Sequence, residues 1–261
     1  MITIELDCEE DARDLLIAEL WEERCAGITE LDGGLLAFFK EDARGPELEA
    51  RFAANRPRVR SVDDEDWLAV ARDQLEPMLV GDRFFICPEW HKDPTPEGRM
   101  RIEVNPGMAF GTGSHETTQL CIEALERHVR NGARVLDVGT GSGILCEVAD
   151  KLGAALAVGC DNDAEAVPIA KQKAPHVFIG SAEAAAAGAF DIIVANIAAA
   201  PVRELAAEFR RALRPRGALL LSGFEEVEVA GVTAAFPGMK ATVRAKRAWR
   251  LVELSAHAGA I

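Results

Sequence analysis

Between Arg134 and Ile144 the chain reads Arg-Val-Leu-Asp-Val-Gly-Thr-Gly-Ser-Gly-Ile, an apolar strand that empties into three alternate glycines and then a helix. Glycines at this spacing allow left-handed backbone and the close approach of a ligand, and the helix start behind them adds partial positive charge. A strand feeding such a turn belongs to a doubly wound α/β fold, and the rest of the sequence agrees. Strands are expected at Arg134–Val138, Ala155–Cys160, Val177–Ile179, Phe190–Ala195 and Ala218–Ser222. Helices fall between them, including 202–213 with Val202, Leu205, Phe209 and Leu213 on one face. That alternation predicts a parallel sheet, and two strands within 240–256 close it as an antiparallel hairpin. Pro168 sits where the second helix should run, so that helix starts late or bends.

The first sixty residues have a different rhythm. Ile2 to Leu6 alternates like a half-buried strand, and 11–24 carries Leu15, Leu16, Leu20 and Trp21 at helical spacing. Two strands flank the turn at Asp32-Gly33-Gly34, and a helix over 47–54 and a strand near Val59 complete the unit. This is the split βαβ, ferredoxin-like order. Residues 62–95 read as a partly structured linker, with an acidic cap at 63–66, a helix over 67–75 and a strand at 84–87. The expected division is 1–61, a small α+β domain; 62–95, linker; and 96–261, the α/β domain.

A formal net charge of −14 argues against a surface built to hold nucleic-acid phosphates, so no direct nucleic-acid binding is expected, and a basic partner fits better. No apolar run is long enough to span a membrane, and the acidic start lacks the pattern of a signal peptide, so the expected location is the cytoplasm. Six cysteines show no metal-ligand spacing and fall mostly in apolar stretches, as buried free thiols do; no metal is expected.

Four places carry chemistry. The glycine turn lacks the G-x-G-x-x-G spacing of a dinucleotide site, because Ile144 stands where the third glycine would be. Asp161 follows the second strand, where a carboxylate can accept hydrogen bonds from ribose hydroxyls and favours a cationic ligand; Asp163 fits helix capping better. Asn196 ends a buried strand at the sheet edge where ligands bind, and its amide can both donate and accept. Residues 105–118 pack glycines, Phe110 and several hydroxyls ahead of a helix over 119–129, more than a cap at Ser114 or Thr117 requires. His115, inside that run, is the histidine most worth testing.

The D-x-G-x-G-x-G turn resembles the first motif of class I S-adenosylmethionine methyltransferases. Together with Pro-Gly-Met-Ala-Phe-Gly-Thr-Gly at 106–113, His115, Thr117-Thr118, Val194-Ala195-Asn196-Ile197, Asp64-Glu65-Asp66-Trp67 and Ile86-Cys87-Pro88, it is similar to the PrmA-type family, which methylates ribosomal protein L11. The resemblance implies a seven-stranded Rossmann-like domain behind a small substrate-gripping domain on a flexible linker. It implies that Thr118, Gly139, Asp161 and Asn196 contact S-adenosylmethionine, with Phe110, Gly111, Thr112, Asp137 and Gly141 as further candidates. The expected reaction is methyl transfer to the N-terminal α-amine and lysine amines of L11 by a monomer, with Asn196 orienting the amine and no general base. A related lysine methyltransferase acting on another protein is the alternative. Ser114 stands where the family carries His or Thr. The segment from Lys173 to His176 is short, which leaves Ser181 and Glu183 as open candidates on the adenine side.

Overall fold

The computed structural model describes residues 2–9, 12–23, 25, 27–31, 33–39, 44–61, 76–105, 113 and 115–256. The chain divides into two compact units, Met1–Gln74 and Leu75–Ile261.

In the first unit, β1 (Ile2–Asp7), α1 (Arg13–Glu22), β2 (Gly27–Leu31), β3 (Gly34–Phe39), α2 (Gly45–Arg51) and β4 (Arg58–Ser61) follow in order. The strands pair β2-β3-β1-β4, every neighbouring pair antiparallel. Alternation in β1 works as period two demands: Ile2, Ile4 and Leu6 enter a core with Leu35, Ala37, Phe39, Leu16, Leu20, Leu48 and Phe52. Burying a side chain of that size stabilises by about 1.5–3 kcal/mol. The second helix starts at Gly45, earlier than its expected 47, because Pro46 in the first turn forfeits no helical hydrogen bond. Edge strand β4 is exposed, and Arg58 reaches across to Glu5 at 2.8 Å and Asp7 at 2.7 Å.

The second unit opens with β5 (Met78–Val80), β6 (Phe84–Pro88) and β7 (Met100–Val104), a three-stranded sheet with β6 central and fully buried. Its first two strands lie in the stretch expected as linker, yet they pair with one another and β6 pairs with β7. The acidic run at 63–66 and the helix over 67–75 lie outside the described residues.

Next come α3 (Glu116–His128), β8 (Arg134–Val138), α4 (Ile144–Lys151), β9 (Leu156–Asp161), α5 (Ala166–Ala170) and β10 (Val177–Ile179). They are followed by β11 (Phe190–Asn196), α6 (Ala199–Glu204), α7 (Ala206–Ala212), β12 (Leu213–Glu225), α8 (Glu226–Ala234), β13 (Met239–Lys246) and β14 (Trp249–Ala256). Among the described residues these strands form a seven-stranded sheet of order β10-β9-β8-β11-β12-β14-β13. The first five run parallel, and β14 is antiparallel to both neighbours. Order reverses between β8 and β11, the crevice where such sheets bind ligands.

The central strands are buried on both faces, which is why they read as unbroken apolar runs. Ile192 and Val194 of β11 pack with Leu120, Leu125, Ile144 and Val148 on one side; Ile193 and Ala195 pack with Val202, Phe209 and Phe236 on the other. Three details differ from expectation. The helix over 202–213 is two helices, broken at Leu205, although Val202 and Phe209 still share one core. Pro168 is the third residue of a short, late-starting α5, where its missing N–H has no helical acceptor to lose. Strand β12 starts at Leu213, and its register with β11 jumps from Phe190↔Leu213 to Ile192↔Ala218, so that 214–217 bulge opposite Asp191.

Candidate active site

The glycine turn is fixed by its own backbone and neighbours. Gly139, Gly141 and Gly143 have φ of +73°, +51° and +80°, which L side chains rarely adopt. A methyl at Gly139 would run into Ile197, and one at Gly143 would lie 2.9 Å from the Ala170 carbonyl oxygen. The Gly139 and Thr140 amides donate to the Cys160 carbonyl at 2.9 and 3.0 Å, which ties the turn to β9. Gly143 caps α4, so the positive end of that helix closes the turn.

Beneath the turn lies Asp137, fully buried. Its Oδ2 accepts from the Thr140 hydroxyl at 2.6 Å and from the Cys146 thiol at 3.7 Å, while Oδ1 has no partner among the described residues. Gly159 is glycine because the Thr140 side chain fills the space, its Oγ1 2.8 Å from where a Cβ would stand. Burial pushes the Asp137 carboxyl up to about 7, against the Thr140 and Cys146 hydrogen bonds and helped by the charge of Asp161. Burial likewise raises the Cys121, Cys146 and Cys160 thiols, the last to about 12, so all three stay protonated and inert.

The Asp137 shift has a consequence for stability. A carboxyl whose folded pKa is raised holds its proton more tightly folded than unfolded, so its contribution falls as pH rises from about 4 to about 7. Asp137→Asn is expected to flatten that slope and to raise stability at pH 7.5 relative to pH 5, by a few kcal/mol in order of magnitude. Urea unfolding of both proteins at the two pH values measures it; parallel slopes would show that Asp137 ionises freely in the fold.

Asp161 ends β9. Its Oδ2 accepts the Gly141 amide at 2.8 Å and its Oδ1 the Asp163 amide at 3.0 Å. One carboxylate therefore shapes the glycine turn and keeps spare lone pairs at the sheet edge. Asp163 accepts the amide of Glu165, the N-cap residue of α5, at 2.8 Å, so it stands two residues ahead of the cap and is not itself the cap.

Asn196 is the last residue of β11, and its Nδ2 donates to the Thr118 hydroxyl at 3.3 Å. Its Oδ1 is buried and has no partner among the described residues. Thr118 is almost wholly buried in the first turn of α3. The helix cap is His115, not Ser114 or Thr117: its Nδ1 accepts the Thr117 amide at 3.3 Å and lies 2.7 Å from the Thr117 hydroxyl. A histidine replaces the usual hydroxyl there, and its ring stands edge-on to Trp249 with centroids 4.9 Å apart. Phe110, Gly111, Thr112 and Ser114 lie outside the described residues.

Sequence reasoning missed Thr140 as the partner of Asp137 and His115 as a cap. A short polar residue between glycines is the one signal that pointed to the former. Ser181, an open candidate, has a buried hydroxyl without a partner at the end of β10; Glu183 sits in the 3₁₀ turn beside it. Among the described residues no three His, Cys, Asp or Glu side chains gather to hold a metal, and no helix is long and apolar enough to cross a membrane.

Residues 12–250 match the family described as ribosomal protein L11 methyltransferase (PrmA). A ribosomal protein L11 methyltransferase of Ralstonia pickettii is 42% identical over 214 residues, 77% of this chain and 71% of that protein. One from Cupriavidus taiwanensis is 39% identical over 229 residues, covering 82% and 76%. The crystal structure of a ribosomal protein L11 methylase from Lactobacillus delbrueckii subsp. bulgaricus superposes with a TM-score of 0.65 at 28% identity, over 70% of this chain and all of that one. The chain belongs to the PrmA family of ribosomal protein L11 methyltransferases.

Proposed function

We propose that this protein transfers methyl groups from S-adenosylmethionine to the N-terminal α-amine and to lysine ε-amines of ribosomal protein L11. The observation that carries the chemistry is Asn196 at the end of β11: a half-buried side chain whose nitrogen is tied to Thr118 and whose buried oxygen has no partner among the described residues. A buried acceptor left without a donor costs about 1–3 kcal/mol, and an incoming amine N–H removes that cost.

The residues present suit the cofactor. Asp161 would accept the ribose hydroxyls, the turn of Gly139 and Gly141 would hold the amino-acid end, and Thr118 and Asn196 would hold the side from which the methyl leaves. Asp137 supports the turn from below through Thr140, and Ser181 would serve the adenine side, with Phe110, Gly111 and Thr112, outside the described residues, as further candidates for the cofactor. When bound, S-adenosylmethionine supplies a methyl group already activated on a sulfonium. What remains for the protein is to align a neutral amine, and alignment contributes roughly 7–11 kcal/mol. Neutralising a lysine at pH 7 costs roughly 4.6 kcal/mol and an α-amine about 1.4. Asn196 Oδ1 accepts from the amine N–H and turns its lone pair toward the methyl, so no general base is needed.

The unit Met1–Gln74 is the substrate-recognition domain, and its strand order β2-β3-β1-β4 supports a ferredoxin-like reading. Within it we assign 1–61 to the ferredoxin-like domain; the connection expected over 62–95 shortens, because β5 and β6 belong to the second unit, Leu75–Ile261, which we assign to catalysis in a cytoplasmic monomer. Transfer of labelled methyl from S-adenosylmethionine to purified L11 tests the reading, with an N-terminally acetylated L11 as the second substrate. Label on the first and less on the second is expected; equal label on both would remove the α-amine from the target set.

A further inference from the structure

At the opposite edge of the sheet, where β8, β11 and β12 begin, lies a cavity of about 380 Å³. It is lined by His128, Arg130, Asn131, Asp191, Arg214 and Arg216, with Ala133, Ile192 and Ala218 beneath. Three arginines and a histidine thus stand on its wall, on a chain whose net charge is −14, while Arg134, next to it in sequence, donates its Nε to the Ala189 carbonyl at 2.8 Å.

Asp191, on the cavity wall, and Glu253, beside it, are already engaged. Asp191 accepts the Arg134 amide at 2.9 Å and the Arg214 guanidinium at 2.9 and 3.0 Å; burial would raise its pKa, and these partners hold it below the ordinary value. Glu253 is bound by Arg127 at 2.5 Å and His128 at 3.0 Å. Arg130 is held at the end of α3 by the Arg127 carbonyl at 2.6 Å and meets no acid among the described residues. Arg216 has no hydrogen bond or ion pair among them either, and the β12 bulge sets it at φ +68°, a conformation that glycine takes without strain. A cationic side chain thus stands, at a backbone cost, on the rim of a cavity that its neighbours leave positive.

Against the expectation drawn from net charge, which averages over the whole chain, we infer that this cavity is a docking site for the phosphate backbone of RNA. Guanidiniums match phosphate oxygens in pairs, and a wall without a Phe, Trp or Tyr platform reads backbone rather than base. The choice of RNA rests on the ribosomal substrate proposed above, whose surroundings are RNA. The site lies about 20 Å from Asn196, the length of β11, so holding RNA there leaves the reaction centre free.

The experiment is fluorescence anisotropy with a labelled single-stranded RNA of about 20 nucleotides, on the full chain and on Arg130→Gln/Arg216→Gly. The expected Kd near 50 mM salt lies in the range of about 10⁻⁴–10⁻⁶ M, weakening roughly tenfold by about 200 mM as two or three phosphates exchange counterions. The double variant should bind at least about fivefold more weakly with a shallower salt slope. Its melting temperature should hold or rise, because Arg216→Gly relieves the left-handed backbone. Methyl transfer to purified L11 should be unchanged in it, which separates failure here from failure of the proposed reaction. Equal RNA affinity in both proteins would overturn the inference. So would complete displacement of RNA by a few millimolar inorganic phosphate at constant ionic strength, which would mark a small-anion site.

Discussion

Asn196→Ala is expected to lower kcat about 10²-fold or more while cofactor affinity changes only a few-fold. The expectation follows from where the amide sits. Its nitrogen is anchored on Thr118, so its oxygen has one orientation available, and that oxygen has no partner among the described residues. Removing it leaves the amine free to rotate away from the methyl, and misplacement by an ångström costs about 10²-fold in rate. Single-turnover kinetics give the chemical step, and calorimetry with S-adenosylhomocysteine gives affinity. Full turnover with unchanged affinity would show that Asn196 does not orient the nucleophile.

Asp161→Ala is expected to act on the other quantity. Its carboxylate accepts two backbone amides, from Gly141 and Asp163, and is assigned two ribose hydroxyls. Hydrogen bonds to a charged group are each worth about 1.5–3 kcal/mol, so losing the ribose pair should weaken cofactor binding about 10²-fold or more. The glycine turn loosens as well, because Gly141 at φ +51° loses the acceptor that holds it. Binding enthalpy and affinity by calorimetry read this directly. An affinity within threefold of the unsubstituted protein would move ribose recognition elsewhere.

The main sheet was legible because its central strands are buried on both faces: Ile192 to Ala195 can be little else in a chain that alternates strands and helices. Asp161 and Asn196 were legible because each is a polar residue at the carboxyl end of such a strand, and both end their strands in the structure. The three-stranded sheet of β5, β6 and β7 was not, because β5 is three residues long and β7 alternates weakly in burial. The His115 cap was hidden because histidine at that position competes with two neighbouring hydroxyl residues in any reading of propensity. The basic edge was hidden for a different reason. Its arginines come from 127–134 and 214–216, separated in sequence, and a net charge of −14 averages them away.

The central claim is that this chain methylates amines of ribosomal protein L11. Intact-mass spectrometry of L11 from the same organism, after incubation with the protein and S-adenosylmethionine, tests it most directly. The account predicts additions of about 14 mass units per methyl, mapping to the N-terminal residue and to lysines, and their loss with Asn196→Ala. An unmodified L11, alongside methylation of a different protein in a methyl-depleted lysate, would contradict the substrate while leaving the chemistry standing.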